Sequence, residues 1–150
     1  MGVAPVAACD QGCTPGYWKN HADSWDQFSP NQTPEGPGFV IPNQLFSFRT
    51  VKLIDALQGG GGPGLDGAAK ILFRAAEASL LNAAALNATN AEAYHFWTVE
   101  EIKNGQGERF TGVNEILAMT PLDRQVMLAY AGKLDYINNL GCPCNNLGCP

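Results

Sequence analysis

Five cysteines and two histidines hold most of the chain's capacity for chemistry, and they are unevenly placed. Cys9 and Cys13 stand near the start, Cys142, Cys144 and Cys149 near the end, and no cysteine lies between. Thiolates and imidazole are soft ligands for zinc or copper, so Cys142, Cys144, Cys149 and His21 form one conceivable metal set, with Cys9 and Cys13 as further donors. The spacing argues against it. Structural zinc uses paired Cys-x2-Cys units, whereas these are Cys-x3-Cys, Cys-x-Cys and a gap of four. Clustering at the two termini, among Pro, Gly and Asn, favours disulfides that tie the N-terminal segment to the tail of an exported chain. Five is odd, so one thiol is free, joined to another molecule, or modified. No resident metal or cofactor is expected.

His21 lies between Trp18 and Trp25. The expectation is a histidine that closes a helix end, its ring wedged in an aromatic core with one nitrogen hydrogen-bonded. His95 belongs in the same way to an aromatic knot of Tyr94, Phe96 and Trp97. Acid–base pairs are scarce: Glu100 and Glu101 suit a helix start, and Asp23 and Asp26 flank Trp25 on a polar face. There is no Ser-His-Asp grouping, nucleophile elbow or His-Glu-x-x-His motif. The chain is therefore expected not to be an enzyme. Gly59 to Gly62 form a four-glycine run, but no Gly-Lys-Ser/Thr ending follows, so the run reads as a flexible turn. Two glycosylation sequons occur, at Asn31 and Asn87.

The elements that must position these groups are helical. Thr14 offers an N-cap oxygen and Pro15 suits the first helical position. Trp18, His21, Ala22 and Trp25 then recur at helical spacing, although Gly16 points to a short or loose helix. Residues 29–49, with four prolines, read as a long ordered loop held to the core by Phe39, Val40, Ile41, Leu45, Phe46 and Phe48, and as a contact surface. Thr50 is placed to cap a helix to Gln58 with Val51, Ile54 and Leu57 inward. The longest helix spans Leu65 to Leu86. It is rich in Ala and Leu and apolar on most sides, which places it at the centre of the fold. Asn90 can cap a short helix over 91–96. Thr98 and Glu101 have capping-box spacing, a two-turn helix fits Val113–Met119, and Thr120-Pro121-Leu122-Asp123 opens a helix to about Asn138. No stretch alternates with period two. The expected fold is all-α, five or six helices around a central Ala/Leu-rich helix, with long ordered loops and disulfide-stapled termini, in one domain over 1–150.

Composition narrows the partners. The net charge is −5 and the nine Lys and Arg residues form no basic cluster, which excludes the footprint of a nucleic-acid binder. No apolar run is long enough to span a membrane. Residues 3–8 are small and apolar like the trailing end of a signal peptide, with no charged n-region before them, and Met1-Gly2 is compatible with an added start. A lipid on Cys9 after Val6-Ala7-Ala8 is a further option. Charged residues make up only 15% of the chain, so copies repel one another weakly, which suits an assembled state. The tail contains a direct repeat, Asn138-Asn139-Leu140-Gly141-Cys142-Pro143 and Asn145-Asn146-Leu147-Gly148-Cys149-Pro150, separated by Cys144.

The stretch Cys13-Thr14-Pro15-Gly16-Tyr17-Trp18-Lys19-Asn20-His21 resembles a signature near the start of a family of exported bacterial and archaeal surface proteins. The similarity extends through Leu80-Leu81-Asn82-Ala83-Ala84 and the Asn139-Leu140-Gly141-Cys142-Pro143 ending, nearly the whole chain. It implies a single secreted or cell-surface module and assigns no catalytic residue. Cys144 and the duplicated tail depart from the pattern. The expectation is thus an extracellular structural module, a homo-oligomer or filament subunit assembling through the 29–49 loop and the tail. The alternatives are a metal- or small-ligand-binding module, or an adhesin that stacks cell-surface glycan on Tyr17, Trp18, Trp25 or Phe39.

Overall fold

The computed structural model describes residues 14–25, 27–86, 97–107 and 111–139. These residues are helical, with no strand among them. The chain begins with α1 (Pro15–Asn20), followed by a 3-10 turn at Ala22–Ser24. Two 3-10 turns meet at Leu45 within Asn43–Thr50. Then come α2 (Leu53–Ala56), α3 (Gly64–Leu81) running into a wider π turn over Asn82–Leu86, α4 (Val99–Asn104), α5 (Val113–Leu117) and α6 (Arg124–Asn138).

α3 is central, as its apolar circumference demands. Twelve of its residues are buried, six of them alanine or glycine, so neighbours approach its backbone closely from several sides. Its most extensive partner is α6, which packs Met127, Tyr130, Ala131, Leu134 and Ile137 inward. α1, α2, α4 and the 43–50 segment also pack against α3. Phe73 of α3 meets the rings of Phe39 and Phe48 at 6.0 and 5.2 Å.

Several helix starts follow local sequence directly. Thr98 Oγ1 accepts the Glu101 amide while Glu101 accepts the Thr98 amide, the reciprocal pair expected for α4. Two other starts differ from expectation. α6 is capped by Asp123, whose carboxylate accepts the amides of Gln125 and Val126, and not by Thr120. The Thr120–Pro121 bond is cis, so the chain turns there before the helix begins. Thr50 closes a 3-10 turn and does not open a helix; α2 starts after Lys52. Leu57 points inward as expected and Leu53 joins it, while Val51 and Ile54 are only half-buried.

The 29–49 loop is held by specific bonds. Leu53 and Ile54 amides donate to the carbonyls of Gln32 and Pro30. Asn114 accepts the Val40 amide and donates to the Gly38 carbonyl. Arg49 Nη2 donates to the Ile41 carbonyl at 2.9 Å. The glycine run is likewise engaged: Arg124 Nη1 donates to the carbonyls of Gly62 and Gly64, and Arg74 Nη1 to that of Gly59. Gly67 presses its Cα onto the Gly62 backbone so closely that a Cβ would collide with the Gly62 carbonyl. This run is a shaped turn, a correction to the flexible one expected.

Candidate functional site

The stretch from Thr14 to His21 folds as a short capped helix. Thr14 Oγ1 accepts the Tyr17 amide at 3.1 Å, and Pro15 occupies the first turn, where no amide is required. The helix ends at Asn20, so Trp18, His21, Ala22 and Trp25 do not form one continuous helical face. His21 instead takes the C-cap position, and its Nδ1 is 2.7 Å from the Tyr17 carbonyl. Its ring stacks on Tyr17 with centroids 4.0 Å apart, but the residue is exposed. The helix-closing role holds; the burial in an aromatic core does not. Lys19, Asn20 and Gly16 lie on the exposed side.

Trp18 anchors the helix. It is fully buried, packed with Leu57, Ala78 and Leu81 and flanked by Tyr17, Trp25 and Phe28. Its indole N–H donates to Asn82 Oδ1 at 2.9 Å, and its carbonyl accepts Trp25 Nε1 at 2.9 Å. Asn82 Nδ2 donates to Asn138 Oδ1 at 2.8 Å. Asn138 Oδ1 also accepts Ser79 Oγ at 3.2 Å, and its Nδ2 donates to the Ala75 carbonyl at 3.1 Å. One polar chain thus runs through the interior from the signature helix, across the π turn of α3, to the last residue of α6. Asn82, Ser79 and Asn138 are completely buried, and each costs too much to bury without such partners.

Beside this chain lies a cleft of about 310 Å³. Pro15, Gly16 and Lys19 of α1, Leu57 and Gln58 after α2, Arg74 of α3, and Asp135 and Asn139 at the end of α6 line it. Burial raises the Asp135 carboxyl, against the opposing pull of the Arg74 charge and an Asn138 hydrogen bond. Burial also pushes the Tyr17 phenol up. The cleft joins the two ends of the described fold: Pro15 is two residues after Cys13, and Asn139 three before Cys142.

All five cysteines, His95, Asn87 and the 91–96 helix lie outside the described residues. Among the described residues no group of three His, Cys, Asp or Glu side chains could hold a metal. Of the metal alternative, His21 alone is described, and its Nδ1 is already occupied by Tyr17. Of the aromatic glycan surfaces, Trp18 and Phe39 are buried and closed to a ligand. Asn31 sits exposed in a turn, sterically open to modification. The polar core of Ser79, Asn82 and Asn138 was not foreseen. The available signal was asparagine and serine on positions of an otherwise apolar helix. The chain matches no protein-family model, no curated protein and no solved structure at significant similarity.

Proposed function

We propose that this chain is an extracellular structural module that self-associates, its N-terminal lead stapled to its cysteine-rich tail. The observation that carries this reading is the convergence of Pro15 and Asn139 on one cleft. From those positions, two or three residues of chain, at roughly 3.5 Å each, reach to Cys13 and Cys142. That reach is compatible with the 4.4–6.8 Å or so between Cα atoms that a disulfide needs. The resemblance of residues 13–21 to exported surface proteins agrees with it. Cys9 and Cys13 pair with two tail cysteines, and the remaining thiol reaches a neighbouring copy. Assembly also draws on the 29–49 loop, an ordered segment on which Val40 and Phe46 are each 67% exposed. Bare apolar side chains on a firmly bonded loop are suited to contact with another surface.

Intact mass of native protein, with thiol alkylation and with or without reductant, tests the covalent part. The expected result is two internal bridges per chain and disulfide-linked dimers that collapse to monomers on reduction, any larger assembly being noncovalent. Removing residues 144–150 should leave a folded monomer. Five alkylatable thiols in native material, or unchanged assembly after that truncation, would overturn the reading.

A further inference from the structure

Phe48 and Phe73 are both buried, and their rings meet at 5.2 Å. Both nevertheless line a partly enclosed pocket of about 160 Å³, together with Val51 and Ala56. The exposed members of the lining are Asp55, Gly60 and Lys70. Every lining residue falls between positions 48 and 73, an unbroken stretch of described chain. The inner end of the pocket is thus aromatic and aliphatic, and its open end carries one carboxylate and one ammonium.

Three features suit this pocket to a small ligand. Its volume is close to the roughly 150 Å³ of an apolar cavity that stays dry and admits benzene, so it has room for one phenyl- or isobutyl-sized group. Glycine at position 60 is demanded by neither backbone nor packing among the described residues: its φ is not positive, and a Cβ there would meet nothing within 4 Å. Its effect is to leave the open end without a side chain. Finally, the side chains of Asp55 and Lys70 make no ion pair or hydrogen bond among the described residues, with each other or with a third group. Two opposite charges at one opening, both without such a partner, complement a ligand that brings an ammonium and a carboxylate of its own.

We propose that this pocket binds a free α-amino acid with an aromatic or branched aliphatic side chain. The side chain enters beside Phe48 and Phe73, the ammonium faces Asp55, and the carboxylate faces Lys70. A residue within a peptide could insert the same side chain, but it lacks both charges, so the two rim charges select the free amino acid. The site belongs to one chain alone and does not depend on self-association. Apolar burial supplies most of the affinity, because exposed ion pairs contribute little. With one small group buried, the dissociation constant falls in the millimolar range.

Titration of the isotope-labelled full-length chain, followed by amide NMR shifts, tests the proposal with L-phenylalanine, its N-acetyl amide and benzyl alcohol as probes. Phenylalanine should shift the amides around the pocket saturably, among them those of Ala56, Gly60 and Lys70. The N-acetyl amide keeps the ring and loses both charges, and should bind about threefold or more weakly. Lys70→Glu should weaken phenylalanine by about the same factor and leave benzyl alcohol unchanged. Ala56→Leu, which puts a larger side chain into the pocket, should abolish binding of both. The absence of saturable shifts up to the solubility limit of phenylalanine, or shifts confined to other residues, would overturn the proposal. So would an N-acetyl amide that binds as tightly as the free amino acid, which would make the occupant a side chain of a peptide. Should Ala56→Leu fail to fold, Lys70→Glu still decides, since it alters an exposed side chain: unchanged affinity for phenylalanine in that variant would overturn the proposal.

Discussion

Asn138 shows how much can depend on one buried side chain. Its carboxamide serves Ser79, Asn82 and the Ala75 carbonyl at once, and through Asn82 it reaches the indole of Trp18. Asn138→Ala should cost about 1–3 kcal/mol, the penalty of leaving buried groups unsatisfied. Denaturant titration measures it. The same titration on Asn82→Ala and the double variant should show losses that do not add, since both act on one network. Glu77 presents the opposite case. It is 1% exposed on α3, its Oε1 has no hydrogen-bond partner among the described residues, and burial raises its carboxyl well above the usual range. A raised folded value means that the proton is held more tightly in the fold. Its contribution to stability is whole below about pH 4.3, the unfolded value, and is lost as pH climbs through the raised one. Glu77→Gln should therefore raise the urea midpoint at pH 8 far more than at pH 4. An equal effect at both would mean that the carboxyl titrates alike in the folded and unfolded chain, so that burial does not raise it.

Caps and glycines decide matters at the scale of the element. α4 has six residues and depends on its reciprocal cap, so Thr98→Ala should lower stability by about 1 kcal/mol. Two glycines on the main helix pair should respond in opposite senses to alanine. Gly67→Ala drives a Cβ into the Gly62 carbonyl and must displace the turn before α3, so it destabilises. Gly132→Ala meets no atom of the described residues and should stabilise α6 by up to about 1 kcal/mol. Thermal midpoints of the two variants check the contrast. The elements that were legible beforehand are those whose signals are local. The Thr98–Glu101 box, the Thr14-Pro15 start and the alanine-rich run of α3 each specify a boundary within a few residues. The extension of α1 to Trp25 was misread because Trp25 meets Trp18 through its indole and the Trp18 carbonyl, a contact that mimics helical spacing without a helix.

For the whole molecule, the ends matter most. The described core already joins α1 to α6 through Trp18, Asn82 and Asn138, so the fold does not wait on cysteine pairing to bring its termini together. A staple added there closes a loop of well over a hundred residues in the unfolded chain. Reducing native protein should accordingly lower its stability by about 2–4 kcal/mol without abolishing helicity, as read by circular dichroism against denaturant. Loss of all helical signal on reduction would show that the core is weaker than its packing implies.

The sequence by itself determined the class of the fold, the central place of the Ala/Leu helix and most helix starts, because periodicity and caps act over a few residues. It also marked the 29–49 loop as a surface tacked down by its apolar residues; Phe39, Ile41, Leu45 and Phe48 are buried, whereas Val40 and Phe46, expected with them, stay exposed. Tertiary structure alone decided which polar side chains lie inside, that Pro15 and Asn139 share a cleft, and that Phe46 and Tyr136 are left outside. Those outcomes turn on residues far apart in the chain, 56 positions for Asn82 with Asn138 and 64 for Trp18 with Asn82. No local pattern records which distant group will meet a buried amide. Only the packing of α1, α3 and α6 against one another sets it.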